Sequence, residues 1–252
     1  MSTPTVSLQL YTVRDFTSED VTGTLKKVKE MGYDAVELAG TYGMKAAELK
    51  GILDEIGLVA HSAHVPFEGF QADAAGTVAD YKTLGCKVIA VPYLDMAHLP
   101  GGDEYAKTKE VLIQAGKLCT DAGIVFAYHN HDFEFGKTKD DVFILDQFFT
   151  DLPDIQAELD IGWITAAGQN PAEYIMKYAG RCPLIHLKDT TPVGDGFEDR
   201  PVGQGSQDIP GSINAALKAG ATCLVVELDA AVGITSLEAA KLSREYLKSL
   251  GY

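Results

Sequence analysis

The chain has 252 residues, 46% of them hydrophobic, and a formal net charge of −15. No apolar run reaches the roughly 18 residues that a membrane span requires, and so acidic a chain offers no continuous phosphate-binding surface. Membrane and nucleic acid are therefore both excluded as partners. The opening Met1-Ser-Thr-Pro-Thr runs directly into a strand-like segment with no signal-peptide layout, so a cytoplasmic protein is expected. Cys86, Cys119, Cys182 and Cys223 lie far apart, in or beside apolar runs, and read as buried reduced thiols.

In chain order, Val6 to Tyr11 reads as the first strand. Phe16 to Met31 follows as a helix, because Val21, Leu25, Val28 and Met31 recur at three- and four-residue steps. Thr17 or Ser18 would cap it, with Glu19 and Asp20 in its first turn. Strand two is Ala35 to Leu38, and a helix over Lys45 to Ile56 leads to strand three, Leu58 to His64. A helix from Ala72 to Leu84 precedes strand four, Val88 to Val91. A longer helix, Glu104 to Ala122, leads to strand five, Ile124 to His129. Asp140 to Thr150 is the next helix and Ile155 to Asp160 is strand six. Pro171 suits the first position of a helix reaching Tyr178. Strand seven is Leu184 to Leu187, and Asp189 to Asp208 reads as a long polar, glycine-rich loop. Pro210 opens a helix ending at Gly220, Cys223 to Glu227 is strand eight, and Ser236 to Leu250 is the last helix.

Eight strand-like runs thus alternate with about eight helices. Glycine recurs at the helix ends, as in Ile56-Gly57-Leu58 and Ala122-Gly123-Ile124, where the residue after a helix takes a left-handed backbone angle before the next strand. The expectation is an α/β chain forming one closed (β/α)8 barrel domain over residues 1–252. An open doubly wound sheet would carry a glycine-rich turn after its first strand, where this chain has Tyr11-Thr-Val-Arg-Asp15.

In such a barrel the strand C-termini open onto one face, where sites are built. The polar residues of this chain collect at those ends. Strand five delivers His129 and His131, which share a face because alternate residues do. Strand six delivers Asp160, with Glu158 on the same side. Strand seven gives His186 and Lys188, and strand eight gives Glu227, with Asp229 beyond it. Strands two and three add Glu37, His61 and His64. Carboxylates mixed with imidazoles suit zinc, manganese, iron or cobalt better than calcium. Lys188 could meet an anionic or enediolate oxygen. Tyr11, Tyr93, Trp163 and Phe135 fall just past strand ends and would wall a sugar site. The loop Arg200-Pro-Val-Gly-Gln-Gly205 could turn backbone N–H groups and Arg200 towards an anion.

The blocks Gly32-Tyr-Asp-Ala-Val-Glu37, Tyr128-His-Asn-His-Asp-Phe-Glu-Phe135, Glu158-Leu-Asp-Ile-Gly-Trp163, Ile185-His-Leu-Lys-Asp189, Val202-Gly-Gln-Gly205 and Val225-Val-Glu-Leu228 together carry a family likeness. Over nearly its whole length the chain resembles the sugar phosphate isomerase/epimerase family, with its xylose-isomerase-like TIM barrel. That family also includes inosose dehydratase, tagatose 3-epimerase, hydroxypyruvate isomerase and endonuclease IV. The resemblance implies a divalent metal held by residues of the last four barrel strands, mapping to Asp160, His186 and Glu227. Where epimerases carry a glutamate on strand five, this chain has His129-Asn130. His129 is then the aligned ligand, with His131 also in reach. Manganese is the expected ion, with zinc, magnesium, cobalt or iron as alternatives.

The resemblance further implies an isomerase or epimerase of a sugar or keto-sugar, working by proton abstraction beside a metal-polarised carbonyl to an enediolate. His131, Glu134 or Glu227 would be the base, Lys188 would assist, and Tyr11, Glu37, His61, His64, Trp163 and Arg200 would bind substrate. A lyase acting on an inosose or a 3-keto-glycoside stands close behind, since His-x-His on strand five resembles the dehydratase branch. A non-catalytic sugar-binding barrel is a third reading. A homo-oligomer is compatible with all three. The acidic charge argues against an endonuclease.

Overall fold

The computed structural model describes residues 3–194 and 196–252. Met1, Ser2 and Asp195, and with them the first residues of the N-terminal reading, lie outside the described residues. The first seven strands are β1 (Thr5–Gln9), β2 (Ala35–Ala39), β3 (Val59–His64), β4 (Val88–Val91), β5 (Val125–His129), β6 (Gln156–Asp160) and β7 (Leu184–Leu187). An antiparallel hairpin follows, formed by β8 (Asp189–Val193) and β9 (Gly196–Arg200), and β10 (Cys223–Val226) is the eighth barrel strand. The barrel strands are all parallel, and β10 pairs with both β7 and β1 to close the ring.

The helices are α1 (Arg14–Thr17), α2 (Val21–Glu30), α3 (Ala46–Ile56), α4 (Phe67–Leu84), α5 (Tyr105–Ala122), α6 (Ile144–Asp151), α7 (Ile161–Ala166), α8 (Pro171–Lys177), α9 (Ile209–Ala219) and α10 (Ser236–Ser249). Gly57, Gly85, Gly123 and Gly220 all end their helices with left-handed backbone angles, which is the helix–glycine–strand rhythm of the sequence.

Several boundaries differ from the sequence expectation for local reasons. The helix expected from Phe16 breaks into α1 and α2, and Asp20, not Thr17 or Ser18, caps α2 by accepting from the Gly23 N–H at 2.8 Å. α4 starts at Phe67 and kinks at Asp73, which has non-helical angles; the smoother stretch beyond the kink is the part that the sequence pattern registers. The stretch read as a loop after β7 folds partly into the β8–β9 hairpin. α7 was not expected at all, and it exists because Asp160 caps it.

The large apolar core lies between strands and helices. Inside the barrel sits a smaller plug of Val88, Ala90, Ala127, Leu184, Cys223 and Val225. Period two places Ala127 beneath His129, Leu184 beneath His186, and Val225 beneath Glu227. Each inward column is therefore apolar below and polar at the C-terminal mouth. All four cysteines are buried and free. Among the described residues no helix is long and apolar enough to cross a membrane.

Candidate active site

The mouth is held open by ties between strand ends. Asn130, just past β5, accepts from the Asp160 backbone N–H at 3.1 Å and donates to the His131 carbonyl at 3.3 Å, stitching β5 to β6. Asp160 ends β6 and turns one oxygen to the Gly162 and Trp163 N–H groups, at 2.7 and 3.1 Å, so the same residue stops the strand and starts α7. Its other oxygen is buried, points into the barrel and has no hydrogen-bond partner.

Neighbouring strands then bring the inward polar residues to similar heights. His129 pairs in register with Glu158, and Asp160 with His186. One donor atom from each of His129, Asp160, His186 and Glu227 lies within 4.8 Å of the others. The His129 Nε2 faces Asp160 Oδ2 at 4.0 Å, and the His186 Nδ1 contacts Glu227 Oε2 at 2.8 Å. A second, deeper set overlaps the first: His64, His129, Glu158 and His186. His64 Nε2 meets Glu158 Oε1 at 2.5 Å. Below them Glu37 accepts from Gln9 at 2.6 Å and from Ser62 at 2.5 Å, with His186 Nε2 at 2.8 Å.

Burial on this scale sets the protonation of the cluster. It depresses His129 well below the ordinary imidazole value, and the neighbouring His186 adds to that effect. Burial also opposes charge on His186, yet Glu37, Glu158 and Glu227 together raise its pKa well above the ordinary value. Glu227 stays ionised despite burial because Lys188 and His186 face it. Burial pushes Asp160 up to about 6 against the pull of Lys188. Asp160 Oδ2, buried and without a hydrogen-bond partner, stands among mixed nitrogen and oxygen donors, and that set fits a borderline divalent cation.

Above the cluster opens a pocket of about 570 Å3. His129, Glu227 and Lys188 line its floor, while Asp160 and His186 sit fully buried behind them. Lys188 spans the floor, 2.6 Å from Asp229, 3.3 Å from Asp160 and 3.4 Å from Glu227, with its ammonium over the Trp163 ring. The chain leaves room for it at Gly162, where a Cβ would stand 2.8 Å from Lys188 Cγ. His131 and Trp163 form one wall and His64 another; Tyr11 and Tyr93, both half-exposed, stand at the rim. His131 packs between Phe133 and Trp163 with its Nδ1 unpartnered, and burial together with Lys188 lowers its pKa to about 4.

Besides Glu158, Asp160 and His186, five sequence-predicted residues do not line this pocket; one of them, Phe135, is buried against Phe143 and Tyr174. His61 is the extra residue of a bulge: β2 pairs Val36 with Ala60 and then Glu37 with Ser62, so Ser62 takes the position facing Glu37. Glu37 lies in the deep cluster beneath the pocket. Glu134 is fully buried, with one oxygen accepting from the Tyr128 hydroxyl at 2.7 Å and the other from the His131 N–H at 2.8 Å. Both oxygens accept a hydrogen bond, so Glu134 braces the turn that carries His131. Arg200 pairs with Glu198 on β9, 2.7 Å away.

The glycine-rich loop beside Arg200 is also turned inward. Its N–H groups at Gly203, Gly205 and Gln207 all donate to the Asp189 carboxylate, at 2.8, 2.9 and 3.1 Å. An internal anion occupies the place that the sequence reading gave to a ligand. Gln9, Ser62 and Gly162 went unnoticed in the sequence. Ser62 alternates with His64, and that spacing was the available signal.

These features define a closed parallel TIM barrel with a polar pocket at its C-terminal mouth. The chain belongs to the xylose isomerase-like TIM barrel family, which it matches over residues 25–250. It is 25% identical over 178 residues to the inosose dehydratase of Clostridium beijerinckii, a match covering 63% of this chain and 59% of that protein, so less than two thirds of the relative's length is spanned. A sugar phosphate isomerase/epimerase from Parabacteroides distasonis superposes with a TM-score of 0.81 at 26% identity, covering 97% of this chain and 98% of that one. A xylose isomerase-like TIM barrel protein from Mycobacterium smegmatis, crystallised in complex with magnesium, gives 0.76 at 17% identity, covering 99% and 98%.

Proposed function

We propose that the chain is a divalent-metal-dependent isomerase or epimerase acting on a sugar or keto-sugar. The observation that carries this reading is the four-residue donor cluster at the base of a pocket that His129, Glu227 and the His131 ring line. His129, Asp160, His186 and Glu227 would hold the ion, with manganese the expected species. When bound, such an ion acts as a Lewis acid on a carbonyl and its neighbouring hydroxyl.

The chain's own residues do the rest. His131 is neutral at physiological pH, because burial holds its pKa low, and its ring lines the pocket, where a neutral imidazole would take the proton from the carbon beside the carbonyl. Glu134 holds the His131 backbone in place. Lys188 keeps Glu227 ionised, opposes the rise that burial imposes on the Asp160 pKa, and fixes both in position. His64 has its Nε2 on Glu158 and lines the pocket where substrate hydroxyls would lie. Trp163, Tyr11 and Tyr93 offer aromatic faces to the C–H side of a sugar ring and displace water from it.

The likeness to a sugar phosphate isomerase/epimerase supports the leading reading. The match to inosose dehydratase supports a second one, in which the same proton removal is followed by loss of a β-hydroxyl from an inosose or 3-keto-glycoside. Incubation of manganese-loaded protein with ketohexoses and 3-keto-glucosides in deuterated water tests both. Deuterium at the carbon beside the carbonyl, in recovered or rearranged sugar, supports isomerase or epimerase action. An enone product supports the lyase. No exchange with any keto-sugar would leave a sugar-binding barrel without catalysis.

A further inference from the structure

We propose that Glu158 is the positioning residue for both histidines of the cation site. This rests on the reading that the ion lies among His129, Asp160, His186 and Glu227. Each of the two imidazoles has one nitrogen towards that set and the other towards Glu158. His129 faces Asp160 with Nε2 and Glu158 Oε1 with Nδ1, at 3.3 Å. His186 faces Glu227 with Nδ1 and Glu158 Oε1 with Nε2, at 3.0 Å. One carboxylate oxygen, fully buried, thus stands behind two rings from different strands.

An imidazole that ligates through one nitrogen must carry its proton on the other. A carboxylate accepting that proton selects the tautomer, fixes the ring plane and raises the basicity of the ligating nitrogen. The other buried acid nearby reaches only one of the two rings. Glu37 reaches His186 Nε2 at 2.8 Å, but its oxygens are already taken by Gln9 and Ser62, and its ion-pair contacts do not include His129. Glu158, by contrast, keeps Oε2 unpartnered and is the carboxylate that faces His129 Nδ1. His64, at 2.5 Å from the same Oε1, is a third partner that lies outside the ion's own ligand set.

The test is a titration of the full chain with cobalt(II), followed by calorimetry and by the visible absorption of the bound ion. Wild type is expected to bind one cobalt per chain. Glu158→Gln should bind it about 10- to 100-fold more weakly, the usual effect of losing such a partner. At saturation its absorption spectrum should match wild type, because the ligands themselves are unchanged. His64→Gln should leave the affinity within about threefold. The proposal is overturned if E158Q binds as tightly as wild type. It is equally overturned if E158Q alters the saturated spectrum while H64Q also loses the ion, since that places the ion on Glu158 itself. If E158Q does not fold, as judged by circular dichroism, Glu158→Asp takes its place, and unchanged affinity there counts against the proposal. A wild-type chain that binds no cobalt would instead remove the cation reading on which this inference stands.

Discussion

Replacing Asp160 with asparagine, and separately with alanine, divides two tasks that one side chain performs. One oxygen caps α7 through Gly162 and Trp163; the other turns towards His129 and Lys188. Asparagine caps a helix about as well as aspartate, whereas alanine loses the cap at about 1 kcal/mol. For a chain of this size that is a fall in Tm of about 2–4 °C. In metal-free buffer D160N should therefore melt close to wild type and D160A lower. Both variants lose the anionic oxygen that faces the cluster. Loss of a mere supporting partner typically weakens a metal site 10- to 100-fold, so loss of a ligand should cost at least about 100-fold. At a free ion concentration near 100 times the wild-type Kd, wild type gains about 2.7 kcal/mol, while a variant 100-fold weaker gains about 0.4 kcal/mol. Thermal melting with and without manganese reads both effects. An ion-induced rise in D160N equal to that of wild type would refute the assignment of Asp160 as a ligand. An ion-free D160N as unstable as D160A would refute the capping argument.

Gly162→Ala puts a methyl group 2.8 Å from Lys188 Cγ and 2.9 Å from its Cβ, and should cost about 1–3 kcal/mol in urea unfolding while weakening ion binding. Glu134 has its pKa pushed up to about 7, first by burial, so its protonated form is favoured in the folded state. That contribution to stability is complete below the unfolded value of about 4.5 and is lost as pH rises through 7, a swing of about 3 kcal/mol. Chemical denaturation from pH 4.5 to 8 should show that swing in wild type and not in E134Q, whose amide oxygen accepts from the His131 N–H while its NH2 donates to the Tyr128 hydroxyl. Arg200→Ala removes only a partly exposed pair with Glu198, so stability should change by less than about 1 kcal/mol and keto-sugar turnover should stay at the wild-type level.

The parts of the site legible in the sequence are those where one strand decides the outcome. Apolar runs ending in His129, His186 and Glu227 announce inward polar ends, because period two keeps each of them above an apolar residue, and Asp160 ends its strand above a second acid, Glu158. The same rule failed at His61, where a bulge shifts the register and delivers Ser62 instead. Glu134 misled for a different reason: its place depends on how a short turn folds back onto β5, and no strand period extends there. Arg200 and its glycines looked like an anion site because backbone N–H groups without a partner attract one. The partner is Asp189, and only the folded hairpin brings the two together. Glu158 was seen to share the facing of Asp160. Its contact with three imidazoles depends on the registers of several strands at once, and a single strand cannot display that.

The most direct measurement is an anomalous difference map from crystals grown with manganese, recorded at an energy where that ion scatters anomalously. The account expects a single strong peak at the barrel mouth, about 2.0–2.3 Å from oxygens of Asp160 and Glu227 and nitrogens of His129 and His186. A peak on Glu158 and His64 in the deeper set, or no peak inside the barrel, would contradict it.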